Sequence, residues 1–195
     1  MPNETELKYA PAKDFSKDML FSLPEISPFC GEVREIAMKT EYLDTKDSLA
    51  ASRGVSLRRR VENGKSILYA KCNLCTSGEL SVRGEWQVDG DDLSLAAELL
   101  ESAGAPTDFL KGLPLEVCGR VSFVRHEAVV SLPEGLSFAL SFDEGTFGED
   151  APFSEVELEL LSGEPDDLLR FGRDLAEKYS FTPESRSKYA RSLIR

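Results

Sequence analysis

The sequence predicts an α+β fold in which antiparallel β-strands close into a barrel and a few helices pack outside. Three observations support this prediction. Alternation of polar and apolar residues with a period of two recurs through most of the 195 residues. Regular helices do not separate the strands, which disfavours a parallel, doubly wound sheet. The polar faces of the strands are strongly charged, which a simple solvent-facing sheet does not require.

Segments with the pattern of strands run through most of the chain. The first is 3–9, with the sequence NETELKY. A hairpin is predicted over 55–72, because Asn63-Gly64 is a strong two-residue turn signal between two alternating segments. The other predicted strands are 34–44, 79–89, 115–132, 135–145 and 153–163.

Three segments have the pattern of helices, namely 13–23, 92–104 and 164–180. The second ends at Gly104, a residue typical of helix C-termini. The third carries acids early and Lys178 late, as the helix dipole favours. A turn is predicted over 45–54, and the tail 183–195 is predicted to form a short helix or strand.

Length and composition limit the possible functions. The chain fits a single domain over 1–195, with 41% hydrophobic residues available for a core. The net charge of −12 argues against a general binder of nucleic acid or anionic membranes. No apolar segment is long enough to span a bilayer and no secretory segment opens the chain. We therefore expect a cytoplasmic protein with neither nucleic acid nor membrane as a partner.

Four cysteines raise the question of a zinc or redox site. Cys72 and Cys75 form a C-x-x-C pair, but only Cys30, Cys118 and His126 remain as further ligands of these types. A structural zinc site needs a second ligand pair at regular spacing. The expectation is therefore that the cysteines are reduced thiols.

The polar faces of the predicted strands carry Arg, Lys, Asp and Glu at alternate positions. These residues are Glu4, Glu6, Lys8, Arg58, Arg60, Lys71, Arg83, Glu85, Arg125, Glu127, Asp143, Glu155, Glu157 and Glu159. The carboxylates at 155, 157 and 159 repel one another unless a cation compensates them, and neighbouring arginines require an anion in the same way. The charged faces therefore predict bound ions of both signs.

A closed barrel explains these faces if they line its interior. Buried charges are costly without partners. Mg²⁺ or Mn²⁺ suits the carboxylates, since these metals prefer oxygen ligands and commonly share them with phosphates. Arginine side chains suit phosphate oxygens in bidentate geometry. The residues alone thus predict a metal-assisted binder of a small polyphosphate.

Several motifs occur in an order that resembles the CYTH superfamily, also called triphosphate tunnel metalloenzymes. They are E-x-E-x-K at Glu4, Glu6 and Lys8, YLDT at 42–45, LRRR at 57–60, LYAK at 68–71, RGEW at 83–86, FDEG at 142–145, EVELEL at 155–160 and SKYAR at 187–191. The resemblance covers almost the whole chain. It implies a closed antiparallel barrel of eight strands, called the tunnel, and a divalent metal.

The resemblance also implies roles for individual residues. The implied metal ligands are Glu4, Glu6, Asp143, Glu157 and Glu159, with Glu155 as an alternative on the same strand. The implied triphosphate ligands are Lys8, Arg58, Arg60, Lys71 and Arg125, with Arg83, Glu85 and Lys188 as further tunnel residues. The residues expected to be central to catalysis are Glu4, Glu6, Lys8, Arg58, Arg60 and Lys71.

The expected function is hydrolysis of inorganic triphosphate with Mg²⁺ or Mn²⁺, extending to nucleoside triphosphates. An adenylyl cyclase, a thiamine triphosphatase and a non-catalytic polyphosphate or nucleotide sensor are kept as alternatives. Trp86 is expected to face outward, which disfavours organic triphosphates, and His126 is expected to be structural. The expected partner is a small-molecule triphosphate, and a homodimer is left open.

Overall fold

The computed structural model describes residues 3–77 and 80–193, with side chains for 4–72 and 80–193. Within these ranges the strands are β1 (Asn3–Ala10), β2 (Arg34–Asp44), β3 (Val55–Glu62), β4 (Lys65–Ser77), β5 (Leu80–Asp89), β6 (Glu116–Ser131), β7 (Ser137–Phe147), β8 (Ala151–Ser162) and β9 (Thr182–Pro183). The α-helices are α1 (Lys17–Phe21), α2 (Leu49–Ser52), α3 (Ala96–Ser102), α4 (Pro165–Tyr179) and α5 (Lys188–Ser192). Short 3-10 turns occupy Ser27–Phe29, Leu93–Leu95 and Asp108–Leu110.

Eight antiparallel strands form a closed barrel. Their order is β5-β4-β3-β2-β6-β7-β8-β1, and β1 also pairs with β5, which joins the two edges. The joining register places Glu4 opposite Arg83. The short strand β9 pairs with the end of β1 at Tyr9 and Ala10 and lies outside the ring. The predicted eight-stranded barrel with outer helices is confirmed.

One apolar cluster outside the barrel packs α1 and α4 against β1, β6, β7 and β8. Leu7 and Leu158 from the strands and Leu168 from α4 are almost fully buried there. Burial of such a side chain contributes about 1.5–3 kcal/mol. Gly172 lets α4 approach closely, because a Cβ atom at this position would lie 2.5 Å from the Leu7 side chain. The N-terminal strand is thus fixed from outside by the long helix.

A second apolar cluster packs α2 and α3 against β3, β4 and β5. It contains Leu57 and Leu68 from the strands and Leu100 from α3, all buried. Trp86 packs against this cluster, so it faces outward as expected from the alternation of β5. The outer faces of these strands are therefore apolar, and their opposite faces point inward.

A third apolar cluster fills part of the barrel interior. Met38 and Phe123 are buried opposite each other on β2 and β6. Phe147 and Phe153 pack against them, with ring centroids 4.4 Å apart. Phe123 shares the inner face of β6 with Arg125, so this apolar packing occupies one side of the barrel interior. The charged side chains are therefore confined to the remaining part of the interior.

Most predicted elements are present, and the differences are local. The hairpin turns at Asn63 and Gly64, which both have positive φ, as a two-residue turn of this kind requires. The helix predicted over 13–23 is shorter, and Ser16 caps α1 by accepting a hydrogen bond from the Met19 amide. No helix within the described residues is long and apolar enough to cross a lipid bilayer.

The segment 45–54, predicted as a turn, contains the single-turn helix α2. The buried Asp44 carboxylate accepts hydrogen bonds from the backbone amides of Thr45, Ala50 and Ala51 at 2.8–3.1 Å. These bonds satisfy amides that a short helix leaves without partners. Asp44 therefore has a structural role at the end of β2.

Candidate active site

A charged cavity of about 140 Å³ lies inside the barrel. Every predicted site residue except Asp143 lines it, and Asp143 is fully buried just behind the wall. Seven Lys or Arg side chains and five Glu side chains are on the described wall. The wall is thus net basic although the chain carries −12. We call this cavity the tunnel.

Strand β1 brings the two ends of the chain together at the tunnel. It pairs with β8, so that Glu6 lies opposite Glu159 and Lys8 lies opposite Glu157. Its other edge places Glu4 opposite Arg83 on β5. Alternation then directs these side chains to the inner face while Leu7 packs outside.

Three carboxylates at one side of the tunnel enclose a lysine. Oxygens of Asp143, Glu155 and Glu157 all lie within 4.8 Å of one another. The Lys188 ammonium is 2.8 Å from both Asp143 and Glu157 and also bonds to Glu155. We call these three acids with their lysine the Lys188 cluster. The ammonium occupies the position in which a metal ion would otherwise compensate the acids.

Two arginines complete the charge balance of the Lys188 cluster. Arg125 donates two hydrogen bonds of 2.8 Å to the Asp143 carboxylate and another to Glu157. Arg191 pairs with Glu155. Burial alone would raise the pKa of Glu157, but Lys188 and Arg125 hold it well below its usual range. Burial raises the pKa of Glu155 to about 7 despite Lys188.

A second group of acids, Glu4, Glu6 and Glu159, is less completely compensated. Glu4 pairs with Lys71 at 2.5 Å, and Glu6 pairs with Arg83 at 2.8 Å. Glu159 has no basic side chain within 4.0 Å in the part of the chain with described side chains. Burial, with repulsion from Glu4 and then Glu6, raises its pKa to about 7. We call this group the Glu159 cluster.

Two buried arginines face the tunnel from β3. Arg58 and Arg60 lie over the Tyr69 ring, with 4.6 and 5.3 Å from guanidinium carbon to ring centroid. The Arg58 Nε is buried without a hydrogen-bond partner. Arg60 Nε donates to the Thr40 hydroxyl at 3.3 Å. Burial, then repulsion from Arg58, lowers the pKa of Arg60.

The lysine of the N-terminal motif is also electrostatically perturbed. Burial lowers the pKa of Lys8, while Glu6, 3.6 Å away, partly opposes this shift. Lys71 bridges Glu4 and Glu85 at 2.5 and 2.6 Å. The basic side chains therefore alternate with acids around the wall.

Sequence reasoning missed several wall residues. The tunnel is also lined by Tyr42, Ser56, Tyr69, Ser187 and Tyr189. Ser56 and Tyr69 share the inner faces of β3 and β4 with Arg58 and Lys71, so alternation supplied a signal for both, and Tyr42 belongs to the YLDT motif. The positions of Ser187 and Tyr189 depend on how the C-terminal segment folds back, which alternation does not predict.

Residues left open by the sequence have defined positions. Glu155 does not line the tunnel but is buried in the Lys188 cluster. His126 is on the face of β6 opposite Arg125 and bonds to Lys17 at 2.8 Å and Glu35 at 3.0 Å. Its location outside the tunnel agrees with the expected structural role. Cys75 of the C-x-x-C pair lies outside the residues with described side chains.

The fold and its wall define a class of proteins in which a closed antiparallel barrel encloses a charged tunnel. A family model described as CYTH domain matches residues 2–193. The chain therefore belongs to the CYTH domain family. Members of this family are typically enzymes and are metal-dependent in general.

Solved structures support the same fold. A Hippeastrum protein described as a candidate adenylyl cyclase with a dominant triphosphatase activity is 22% identical, with TM-score 0.67, over 98% of this chain and 97% of that one. A candidate adenylate cyclase from Bacillus halodurans is 18% identical, with TM-score 0.59, over 98% of each. A protein from Pyrococcus horikoshii is 19% identical, with TM-score 0.53, over 94% of each.

Proposed function

We propose that this protein is a divalent-metal-dependent hydrolase that releases phosphate from inorganic triphosphate. The observation that carries the proposal is the excess of buried bases on the tunnel wall. Arg58 has no carboxylate within ion-pair distance among the described side chains, and its Nε has no partner. Arginine remains charged even when buried, so such a site requires an anion.

The charge and size of the tunnel favour a small polyanion. Its wall is rich in arginine and lysine, which pair with phosphate oxygens through charge-assisted hydrogen bonds. Its volume of about 140 Å³ is below that of sites for drug-sized ligands. A linear triphosphate satisfies both conditions without an organic substituent.

The Glu159 cluster fits a divalent metal better than the Lys188 cluster does. Hard cations such as Mg²⁺ and Mn²⁺ take carboxylate oxygens. Glu4, Glu6 and Glu159 supply such oxygens, and Glu159 has no basic side chain within ion-pair distance among the described side chains. The Lys188 cluster already contains an ammonium. We therefore assign Glu4, Glu6 and Glu159 as the principal metal ligands.

The remaining residues act by positioning and electrostatics. Arg58, Arg60 and Arg125 bind and orient the phosphate groups and offset the charge that develops on the leaving group. Lys71 and Lys8 exchange their present carboxylate partners for phosphate oxygens. A bound divalent cation would add charge neutralisation and polarise the phosphoryl group. No covalent nucleophile is required, since water is the attacking group.

Nucleoside triphosphates are a second candidate substrate because a wider pocket adjoins the tunnel. This pocket, which we call the vestibule, has a volume of about 300 Å³ and shares Lys8, Lys71 and Arg83 with the tunnel. Ser185 and Ser187 add hydroxyl groups to it. A substituent on a bound triphosphate has space there.

Product analysis distinguishes these functions. The purified protein is incubated with tripolyphosphate, ATP and thiamine triphosphate, each with Mg²⁺ or Mn²⁺, and orthophosphate, pyrophosphate and cyclic AMP are measured. The proposal expects orthophosphate release with tripolyphosphate preferred. Cyclic AMP with pyrophosphate would indicate a cyclase instead. Binding of tripolyphosphate without turnover under every condition would indicate a sensor.

A further inference from the structure

Four strands of the barrel carry a base and an acid two residues apart on the inner face. The pairs are Lys8 with Glu6, Arg60 with Glu62, Arg83 with Glu85, and Arg125 with Glu127. In three of them the charged groups are 3.6 Å apart, namely Lys8–Glu6, Arg60–Glu62 and Arg125–Glu127. The repetition on separate strands shows an ordered charge pattern along the barrel axis.

All four acids are displaced toward the same end of the barrel. The acid follows the base along β3, β5 and β6 but precedes it along β1. Neighbouring strands are antiparallel, so β3, β5 and β6 run in one direction and β1 runs in the other. We define the acidic end of the tunnel as the end toward which β3, β5 and β6 run, where Glu62, Glu85 and Glu127 lie. Glu6 is displaced from Lys8 in the same direction, but it lies opposite Ser81, deeper in the barrel.

The vestibule lies toward the opposite end. Ser81 and Arg83 at the start of β5 line it, and Glu85, further along the strand, does not. Arg186 also lines the vestibule and forms a two-pronged ion pair with Glu184. An anion approaching through the vestibule meets Lys8, Lys71 and Arg83, whereas one at the acidic end meets glutamates.

Glu62 and Glu127 differ from the other acids of this end. Their side chains are 27% and 20% exposed, close to the 25% of Glu85, so exposure places all three near the rim. Glu85 is on β5, next to β1, whereas Glu62 and Glu127 lie beyond Arg60 and Arg125, and Glu127 also pairs with the exposed Arg34 at 3.5 Å. Tyr69 donates a hydrogen bond of 3.1 Å to Glu62. These two acids stand on β3 and β6, away from the seam of β1 and β8 that carries the Glu159 cluster. A metal bound at that cluster would leave their charge in place.

We propose that Glu62 and Glu127 form an acidic collar that stops a phosphate chain from extending past Arg60 and Arg125, and so limits the chain length that the tunnel accepts. The inference rests on the proposed function, since it assigns a specificity role at the same site. The collar lets Arg60 and Arg125 bind a short chain and repels any further phosphate that reaches the rim. A longer chain can then extend only toward the vestibule.

The collar is tested by neutralising it and measuring binding of chains of different length. Glu62→Gln, Glu127→Gln and the double variant are compared with the parent by calorimetry, using tripolyphosphate and long-chain polyphosphate without divalent metal. Binding rather than turnover is measured, so the result does not depend on whether the protein is a triphosphatase. Glu144→Gln is the matched control, because it removes one charge from the exposed outer face of β7. Thermal unfolding checks that each variant is folded.

The expected result concerns the ratio of the two affinities. In the double variant the affinity for long-chain polyphosphate relative to tripolyphosphate should rise by about fivefold or more, with each single variant intermediate. In Glu144→Gln the ratio should match that of the parent. An unchanged ratio in the double variant, or an equal gain for both ligands, would overturn the collar. The collar would also be overturned if the unmodified protein already bound tripolyphosphate and long-chain polyphosphate with equal affinity per site.

Discussion

The Lys188 cluster and the Glu159 cluster each contain three carboxylates, and they differ in how the charge is balanced. The first has an internal ammonium and two arginines in direct contact with its acids. The second has bases at Glu4 and Glu6 but none within ion-pair distance of Glu159 among the described side chains. Similar carboxylates thus form an ion network on one side of the tunnel and, on the other side, the group to which we assign the metal.

The difference arises from which part of the chain supplies the cation. Lys188 and Arg191 belong to α5, which folds back over the barrel with Ser187 capping its first turn. The Glu159 cluster is built only from β1 and β8 and receives no side chain from this helix. A dense set of carboxylates is therefore weak grounds for a metal site until the cations that reach it have been counted.

The strongest test of the comparison is Glu6→Gln, which removes one ligand of the Glu159 cluster. We expect metal-dependent phosphate release to fall by about 10³-fold, because a metal site that loses a charged ligand loses charge stabilisation of the transition state. Phosphate release from tripolyphosphate measures the effect, with Glu144→Gln as a control of equal charge change. Turnover at the parental rate would remove Glu6 from the metal site.

The next test is Lys188→Ala, which removes the cation from the Lys188 cluster. We expect the free energy of unfolding to fall by about 3 kcal/mol, since three buried carboxylates lose their shared partner. Added Mg²⁺ or Mn²⁺ should restore part of this loss, because the oxygens of these acids are within 4.8 Å of one another. Urea unfolding with and without metal measures both effects.

The stability of Lys188→Ala could also contradict the assignment of the ammonium. If Lys188→Ala were as stable as the parent, the ammonium would not be the main compensation of these acids. Lys188→Arg serves as the control, because it keeps the positive charge while changing its shape.

A smaller effect is expected for Arg58→Ala, which removes a tunnel base that has no carboxylate within ion-pair distance among the described side chains. A charge-assisted hydrogen bond to a phosphate contributes about 1.5–3 kcal/mol, so KM for tripolyphosphate should rise by about 10- to 100-fold. Arg59→Ala is a suitable control, because Arg59 is on the same strand and pairs with Glu41 outside the tunnel. Steady-state kinetics of the two variants give the result. Equal KM values in both would show that Arg58 does not bind the substrate.

The sequence was sufficient to predict the barrel and most of the tunnel wall, because both follow from local alternation. Arg58, Arg83 and Glu157 could be assigned to the inner faces of their strands without any knowledge of how the strands pair. The burial of Glu155 and Asp143 behind the wall could not be predicted in this way. It depends on ion pairs with Lys188 and Arg191, which come from the far end of the chain. Alternation specifies the face of a residue but not its neighbours across the barrel.

The apolar part of the interior shows the same limit. Phe123 shares the inner face of β6 with Arg125, yet nothing local indicated that Met38, Phe147 and Phe153 would pack against it. An apolar inner residue is compatible with a hydrated lumen or with a filled one. Only the cross-barrel contacts distinguish the two, and they show that the tunnel occupies part of the interior.

The final test uses pH, to which Glu159 and Glu157 should respond in opposite directions. The folded pKa of Glu159 is about 7, raised from 4.5, so the folded state binds this proton more tightly than the unfolded state does. Its contribution to stability is therefore lost as the pH rises from about 4.5 to about 7. The folded pKa of Glu157 is lowered, so its contribution is present above 4.5 and is lost as the pH falls below that value.

Urea unfolding of the metal-free protein from acid to neutral pH separates the two contributions. Glu159→Gln should reduce the loss of stability toward neutral pH, and Glu157→Gln should reduce the loss toward acid pH. These effects are smaller than those of the other variants, because each concerns one proton shared with neighbouring groups. If Glu159→Gln instead altered only the acid limb, the Glu159 carboxylate would be as well compensated as that of Glu157, and the distinction between these two acids would fail.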